Sequence, residues 1–485
     1  MKRAVCLAFC LFLACPRTRN VSNCTLDGSV CPGNQVCAPN SELCADPVVL
    51  TSVSPSMVPQ GGGVPLTITG SGFQPGATVT IGGTPVDVAS GATTTTLQVT
   101  APTQVACSAV AVQVSNPDGT TATRNDLLRY AASSAPTYKA RPLTANGIVW
   151  SGSVDQVALV DLDGDGHDDL IVKDASTAQP VVALFAGRGG GTFAYSTKFN
   201  NPQTAPSGLR VRDVNGDGKP DLVLFTRGAP ASDISVSLAP NPGDLSTFGS
   251  PMSMMLPGSL SIMDLAISTA PGATASSVSL LLAVGTELDS LAYPPMGATL
   301  MPIAKSQQHG LLLANVETAT AAEQLIGLTG STAVLYEQQG PSWVAKSTTT
   351  VGASSGRVGD VTGDGVPDLV SASDAPTSLS VSAGDGKGSF AAPLTVATPT
   401  ITGSMYELAY FRCTGAYGIV YVSGHTQFQF VVMNPDHTFT TPTTLFDPAL
   451  GNIVSFAAKD LNDDGQPDLV YSTATGALMI ALSGS

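Results

Sequence analysis

The chain has 485 residues, more than one ordinary core can hold, so it divides into several domains or carries a large repeat assembly. Only 12 % of its residues are charged, while 50 Gly and 35 Pro give the make-up of short strands and tight turns; no stretch sustains a helical apolar period over three turns. The formal charge of −15, with only 21 Lys and Arg scattered along the chain, excludes a nucleic-acid partner, because phosphate binding needs a concentrated basic face.

At the N-terminus Lys2 and Arg3 precede an apolar run over 4–14 and then Cys15, the layout of an export signal. Eleven apolar residues cannot span a bilayer, and no other stretch reaches transmembrane length. Residues 12–15, Phe-Leu-Ala-Cys, resemble a bacterial lipobox, with Phe12 and Leu13 departing from its preferred residues. That resemblance implies a lipid anchor at Cys15 in an outer-membrane lipoprotein of the bacterial envelope; the alternative is plain secretion to the extracellular space. Residues 15–46 follow as a Cys-rich segment. Cys24, Cys31, Cys37 and Cys44 lie within 21 residues, a spacing that predicts two disulfides in a segment too small for its own core. A zinc site would want a C-x-x-C pair or a nearby His, and neither is present. Cys107 and Cys413 read as buried free thiols.

Over 47–132, strand-like runs at 66–70, 77–82, 96–99 and 109–114 alternate with Gly/Pro turns, which predicts two packed antiparallel sheets. The stretches GGGVPLTITGSGFQPGATVTIGG and VQVSNPDGTTAT resemble an IPT/TIG domain, with Gly70, Gly72, Gly76, Gly82 and Gly83 at its turns. The resemblance implies an immunoglobulin-like sandwich used as a spacer or interaction module.

Residues 137–485 repeat. Asp-rich loops begin at Asp161, Asp213, Asp360 and Asp460, at spacings of 52, 147 and 100 residues. These are one, three and two multiples of about 50, so degenerate units are expected near Asp264, Asn315 and Tyr410, making seven in all. Each full unit reads as an apolar strand, the Asp loop, a strand from Asp169, a third over 181–186, a Gly turn, and a fourth opened by Phe193. Four short strands per unit predict a seven-bladed β-propeller, an all-β fold. The sequence VALVDLDGDGHDDLIV…VVALFAGRGGGTFA is similar to FG-GAP and VCBS repeats. The last unit ends on its third strand, and 138–143 reads as the missing fourth, so the ring is expected to close by exchange between the chain ends.

The loops fit D-x-[DNT]-x-D-G-x-x-D-L. Their candidate ligands are Asp161, Asp163, Asp165, His167 and Asp169; Asp213, Asn215, Asp217, Lys219 and Asp221; Asp360, Thr362, Asp364, Val366 and Asp368; and Asp460, Asn462, Asp464, Gln466 and Asp468. Alternate short oxygen-bearing side chains on a tight loop suit calcium, up to four ions in this chain, with position 7 offering only its backbone carbonyl. Gly166, Gly218, Gly365 and Gly465 stand where a sharp turn calls for positive φ. An EF-hand would need Glu at position 12, where this chain has Val172, Leu224, Ser371 and Tyr471.

Catalytic signatures are weak. The G-x-S-x-G match at 352–356 precedes a strand rather than a helix, and His309, His425 and His437 have no Ser/Asp motif nearby. The expected function is therefore a non-enzymatic, exported calcium-binding interaction or adhesion module, with a protein or polysaccharide at the cell surface as partner. The alternative is a polysaccharide-active enzyme or lectin using a propeller pocket.

Overall fold

The computed structural model describes residues 31, 33–41, 43–104, 110–131, 137–145, 148–149, 154–174, 181–200, 208–215, 217–226, 233–239, 245–249, 251–255, 261–269, 278–293, 300–318, 322–340, 342–374, 377–396, 401–411, 416–433, 438–446 and 451–484. The signal segment, Cys15, Cys24, Cys107, Cys413 and His437 fall outside them. Among the described residues there is no α-helix, only one 3-10 turn at Leu245–Thr247. The chain forms two compact units, Met1–Ser133 and Ser134–Ser485.

In the first unit Cys31 and Cys44 form a disulfide with Cα atoms 5.5 Å apart, and Cys37 is disulfide-bonded as well. Beyond it lies a sandwich. Strands Val49–Ser54, Pro65–Ser71 and Thr96–Thr100 form one sheet; Thr121–Arg124, Val112–Ser115, Thr78–Ile81 and Thr84–Val86 form the other. Period-two alternation sends Leu66, Ile68, Leu97 and Val99 inward from the first sheet and Val79, Ile81, Val112 and Val114 from the second. Asn116, in the quoted VQVSNPDG stretch, fixes the turn after Ser71: its amide donates to the Gly72 carbonyl at 2.8 Å and accepts from the Gln74 N–H at 3.1 Å.

Among the described residues the second unit has seven four-stranded antiparallel sheets, besides a two-stranded pair, Thr144–Ala145 with Ile148–Val149. The first comprises Val154–Val160, Asp169–Asp174, Val181–Gly187 and Phe193–Asn200. The second has Gly208–Arg212, Asp221–Phe225, Asp233–Ser237 and Met252–Met255; the third Ile262–Thr269, Val278–Val284, Glu287–Tyr293 and Met301–Ala304. The fourth has Gly310–Ala314, Gln324–Leu328, Thr332–Gln339 and Ser342–Thr350; the fifth Ser355–Gly359, Asp368–Asp374, Thr377–Ser382 and Leu394–Val396. The sixth has Ile401–Phe411, Ala416–Ser423, Gln427–Val431 and Thr443–Phe446.

The seventh sheet takes three strands from the end of the chain, Ile453–Lys459, Asp468–Thr473 and Leu478–Gly484, and its fourth, Thr137–Pro142, from the beginning of the unit. Tyr138 secures that strand by stacking on Phe446 and by donating its hydroxyl to the Pro467 carbonyl at 2.8 Å.

The second strands of the sheets are buried on both faces, as Leu170-Ile171-Val172 and Leu280 to Ala283 show, so their sequences read as apolar runs rather than alternations. Each sheet packs on the next. Ile171 and Leu184 share a core with Leu209 and Leu222; Phe225 and Val236 with Ile267 and Leu280; Leu281 with Leu325; Leu335 with Leu369; Val381 with Tyr406 and Tyr421; and Phe428 packs edge to face against Phe456 and Tyr471. The seventh sheet then packs on the first, through Val470 and Ile480 against Val157 and Phe185.

The third, fourth and sixth sheets stand near Asp264, Asn315 and Tyr410, with their strands kept, but the three residues do not hold equivalent places: Asp264 lies inside the strand Ile262–Thr269, opposite Ala283. The segment between strands Asp233–Ser237 and Met252–Met255 is far longer than its counterpart between Val181–Gly187 and Phe193–Asn200, so counting a constant period falls short there. Tyr410 likewise sits within Ile401–Phe411, paired with Tyr417, because only residues 412–415 separate the two strands of that hairpin. Asn315 does follow its strand directly, as expected.

Candidate metal centre

All four Asp-rich loops join the first and second strands of their sheets: the first, second, fifth and seventh. Their backbones are held in the same way. The position-1 carboxylate accepts the N–H of the position-6 glycine: Gly166 to Asp161 at 3.0 Å, Gly218 to Asp213 at 2.8 Å, Gly365 to Asp360 and Gly465 to Asp460 at 2.9 Å. Those glycines have φ of 90°, 83°, 84° and 85°, a region that other L-residues enter only with strain. The position-5 carboxylate accepts the position-7 N–H, from His167, Lys219, Val366 and Gln466, at 2.8 to 2.9 Å.

The position-9 carboxylates, Asp169, Asp221, Asp368 and Asp468, are fully buried. One oxygen of each accepts the N–H of position 2 (Leu162, Val214, Val361 and Leu461) at 2.8 to 2.9 Å. The other accepts an N–H at the end of the third strand or just beyond it: Gly187 at 2.8 Å, Ala239 at 2.6 Å, Gly384 at 3.0 Å and Ser483 at 2.7 Å. This residue ties the loop to the middle of its sheet, a role the sequence motif alone does not reveal. The faint signal was the small residue, Gly, Ala, Gly or Ser, recurring 15 to 18 positions downstream.

Burial pushes the carboxyls of Asp169, Asp221 and Asp468 up to about 6, and Asp368 in the same direction, against the lowering pull of those backbone N–H groups. In the first loop, oxygens of Asp161, Asp163 and Asp169 lie within 4.8 Å of one another, and burial with the neighbouring Asp165 and Asp161 charges raises Asp163 too. Three carboxylates converging at that distance repel one another unless a cation or protons intervene. The donor set is all oxygen, the chemistry of a hard cation; His167 at position 7 is exposed.

The loops are not equivalent. In the seventh sheet the Ser483 hydroxyl donates to Asp464 and Asp468, and Asp463 adopts φ of 61° where the first and fifth loops have glycine. The fourth sheet keeps the frame without the Asp set: Gln324 stands for the position-9 Asp and its Oε1 accepts the Val316 N–H at 2.9 Å. There Glu317, almost fully buried, pairs with Lys346.

The first strands of successive sheets lie against one another and carry paired charges. Arg210 pairs with Asp264 and Arg357 with Glu407 at 3.0 Å, with the Arg357 guanidinium also over the Tyr406 ring, while Arg212 at the end of the second sheet's first strand pairs with Glu323, which directly precedes the second strand of the fourth sheet. Of the G-x-S-x-G match, Ser355 opens a strand, so no nucleophile elbow forms.

Comparison with known proteins gives two family matches. Residues 161–224 match the FG-GAP-like repeat and residues 47–130 the IPT/TIG domain. The chain thus carries an IPT/TIG domain, immunoglobulin-like in fold, followed by FG-GAP-like repeat sequence. A search of curated proteins finds no match. Similar solved structures include BBS1N in its complex with ARL6DN, at 11 % identity and a TM-score of 0.45 over 72 % of this chain and 98 % of that one. Another is an auxiliary nutrient binding protein from Bacteroides ovatus, at 12 % identity and a TM-score of 0.35 over 91 % of this chain and 99 % of that one.

Proposed function

We propose that the chain is an exported, calcium-binding interaction module without enzymatic activity, in which residues 137–485 form a seven-bladed β-propeller behind the immunoglobulin-like domain. The observation that carries this reading is the fourfold recurrence of one loop, with the same glycine turn, the same buried Asp and an all-oxygen donor set. Calcium would be held by the Asp, Asn and Thr side chains at positions 1, 3, 5 and 9 and the carbonyl at position 7, and would offset their mutual repulsion. The propeller reading is supported by the seven sheets, each packed on the next and the seventh on the first, and by the chain-end exchange that completes the seventh. Export is supported by the Cys31–Cys44 disulfide, since such bonds persist in oxidising compartments. No helix among the described residues is long and apolar enough to cross a membrane, which suits a lipid anchor at Cys15 or free secretion.

Against a catalytic pore stand the charges of the first strands, Arg210, Arg212 and Arg357, each already engaged by a carboxylate. Calcium content decides the metal assignment: mass spectrometry of the metal after dialysis against micromolar calcium should find up to four ions per chain, and none would overturn it. Ring closure has its own test. Deleting 137–145 should destabilise the seventh sheet, and unchanged thermal stability would count against closure.

A further inference from the structure

The Asp loop of the seventh sheet differs from the other three in what it touches. Its sheet, unlike the other six, draws strands from both ends of the unit, and the loop is bonded to each of them. Ser483, on the strand Leu478–Gly484, donates its N–H to Asp468 at 2.7 Å and its hydroxyl to Asp464 and Asp468 at 2.9 Å, and its carbonyl accepts the Asn462 amide at 3.2 Å. Positions 3, 5 and 9 of the loop therefore converge on one buried residue. Gly187, Ala239 and Gly384 stand at that place in the other three loops and carry no side-chain donor. Ser483 is also the register partner of Tyr138, whose hydroxyl donates to the carbonyl of Pro467, position 8 of the same loop. Toward the first sheet, the position-2 carbonyl of Leu461 accepts the Gly191 N–H at 2.8 Å, the Gly191 carbonyl accepts from Arg141 at 3.1 Å, and Lys459 pairs with Asp168.

The closing strand has little else to hold it. Five of the six side chains of Thr137–Pro142 are exposed, so beyond its backbone ladder the strand depends on Tyr138, stacked on Phe446. An edge strand with so little buried surface is among the first parts of a fold to open. We infer that the seventh-sheet loop is a calcium-dependent latch on the exchange of chain ends, a regulatory role that rests on the calcium reading of the loops. With its ion bound, Asp460, Asp464 and Asp468 are drawn to one point, which fixes Ser483 and Pro467, the two residues on which Tyr138 is seated. With the ion gone, the same carboxylates repel one another beside Ser483, and this seam gives way before the sheets whose four strands run consecutively.

The test is hydrogen exchange read by mass spectrometry on the whole chain, in calcium and in chelator, following the strands 137–142, 221–225 and 368–374. Chelator should speed exchange in 137–142 by about tenfold more than in the other two, which belong to loop-bearing sheets built from consecutive strands. Asp464→Asn should remove this calcium response of the seam, whereas Asp364→Asn, which weakens the fifth-sheet loop instead, should leave it. Tyr138→Phe keeps the stack on Phe446 and every loop residue but loses the bond to Pro467, so it should shrink the response while calcium content stays the same. Equal acceleration in all three strands, a response that survives Asp464→Asn, or one lost as fully in Asp364→Asn would overturn the latch. The reading beneath it is judged by metal content: a chain without bound calcium overturns both, and bound calcium with a seam indifferent to chelator overturns the latch alone.

Discussion

The first and fourth sheets solve the same local problem with different charges. In both, a side chain at the start of the second strand accepts the N–H of loop position 2, Asp169 from Leu162 and Gln324 from Val316. The first loop then converges three carboxylates, whereas the fourth buries one, Glu317, and meets it with the ammonium of Lys346 from its own outer strand. The comparison separates two jobs that the motif merges. Position 9 anchors the backbone and needs only an acceptor; the other carboxylates create a charge that something positive must balance.

The largest expected effect comes from taking away that balance. An ion that binds only the folded loop contributes roughly 2.7 kcal/mol at about a hundred times its dissociation constant, and several sites add. Chelation should therefore lower the calorimetric melting temperature of the repeat unit substantially and leave a transition of the immunoglobulin-like domain where it was; equal temperatures with and without chelator would erase the distinction between the two sheets. The anchoring role is next. Asp169→Ala strands two buried N–H groups, those of Leu162 and Gly187, at about 1–3 kcal/mol each, while Gln324→Ala strands only that of Val316. Urea midpoints should fall about twice as far for the first variant as for the second, and the reverse order would break the analogy.

Lys346→Met probes the fourth sheet directly. Glu317 is 7 % exposed but Lys346 is 34 % exposed, so the loss should be modest, about 1–2 kcal/mol, and the same in calcium and in chelator. A loss seen only in chelator would mean that the fourth loop takes up metal as well. A further probe is pH. In the metal-free protein Asp169, Asp221 and Asp468 titrate at about 6 when folded against an ordinary value of 3.8, so the folded state holds the extra protons between those values. Stability in chelator should therefore fall as pH rises from 5 to 7, and calcium should flatten the slope; a rise with pH in chelator would contradict the burial of these groups.

The sequence carried the repeat well where Asp and Gly mark it, because a positive-φ turn tolerates few substitutes and so leaves the same letters each time. Asp161, Asp213, Asp360 and Asp460 each stand just after a first strand, as expected from spacing. Where the loop is lost, the letters go with it. Asp264 and Tyr410 mark units found by counting alone, and connections of unequal length put both inside a strand where Asn315 directly follows one. The Asp169–Gly187 tie was invisible for a different reason: it joins residues on different strands, and only the folded sheet brings them together. The charge pairs Arg210–Asp264 and Arg357–Glu407 span separate sheets and were equally hidden.

The strand exchange in the seventh sheet also sets an order of events. Thr137 pairs with Gly484, 347 residues later, so the strand Thr137–Pro142 leaves the ribosome long before its partner Leu478–Gly484. Bringing ends that far apart together costs roughly 5 kcal/mol of chain entropy, more than any hairpin inside a sheet has to overcome. Until Leu478–Gly484 is made the early strand can have no native partner, and its edge must be kept from other edges. A chain lacking Leu478–Gly484 would hold six finished sheets and two open flanks, so synthesis of that strand acts as the checkpoint on which the seventh sheet depends.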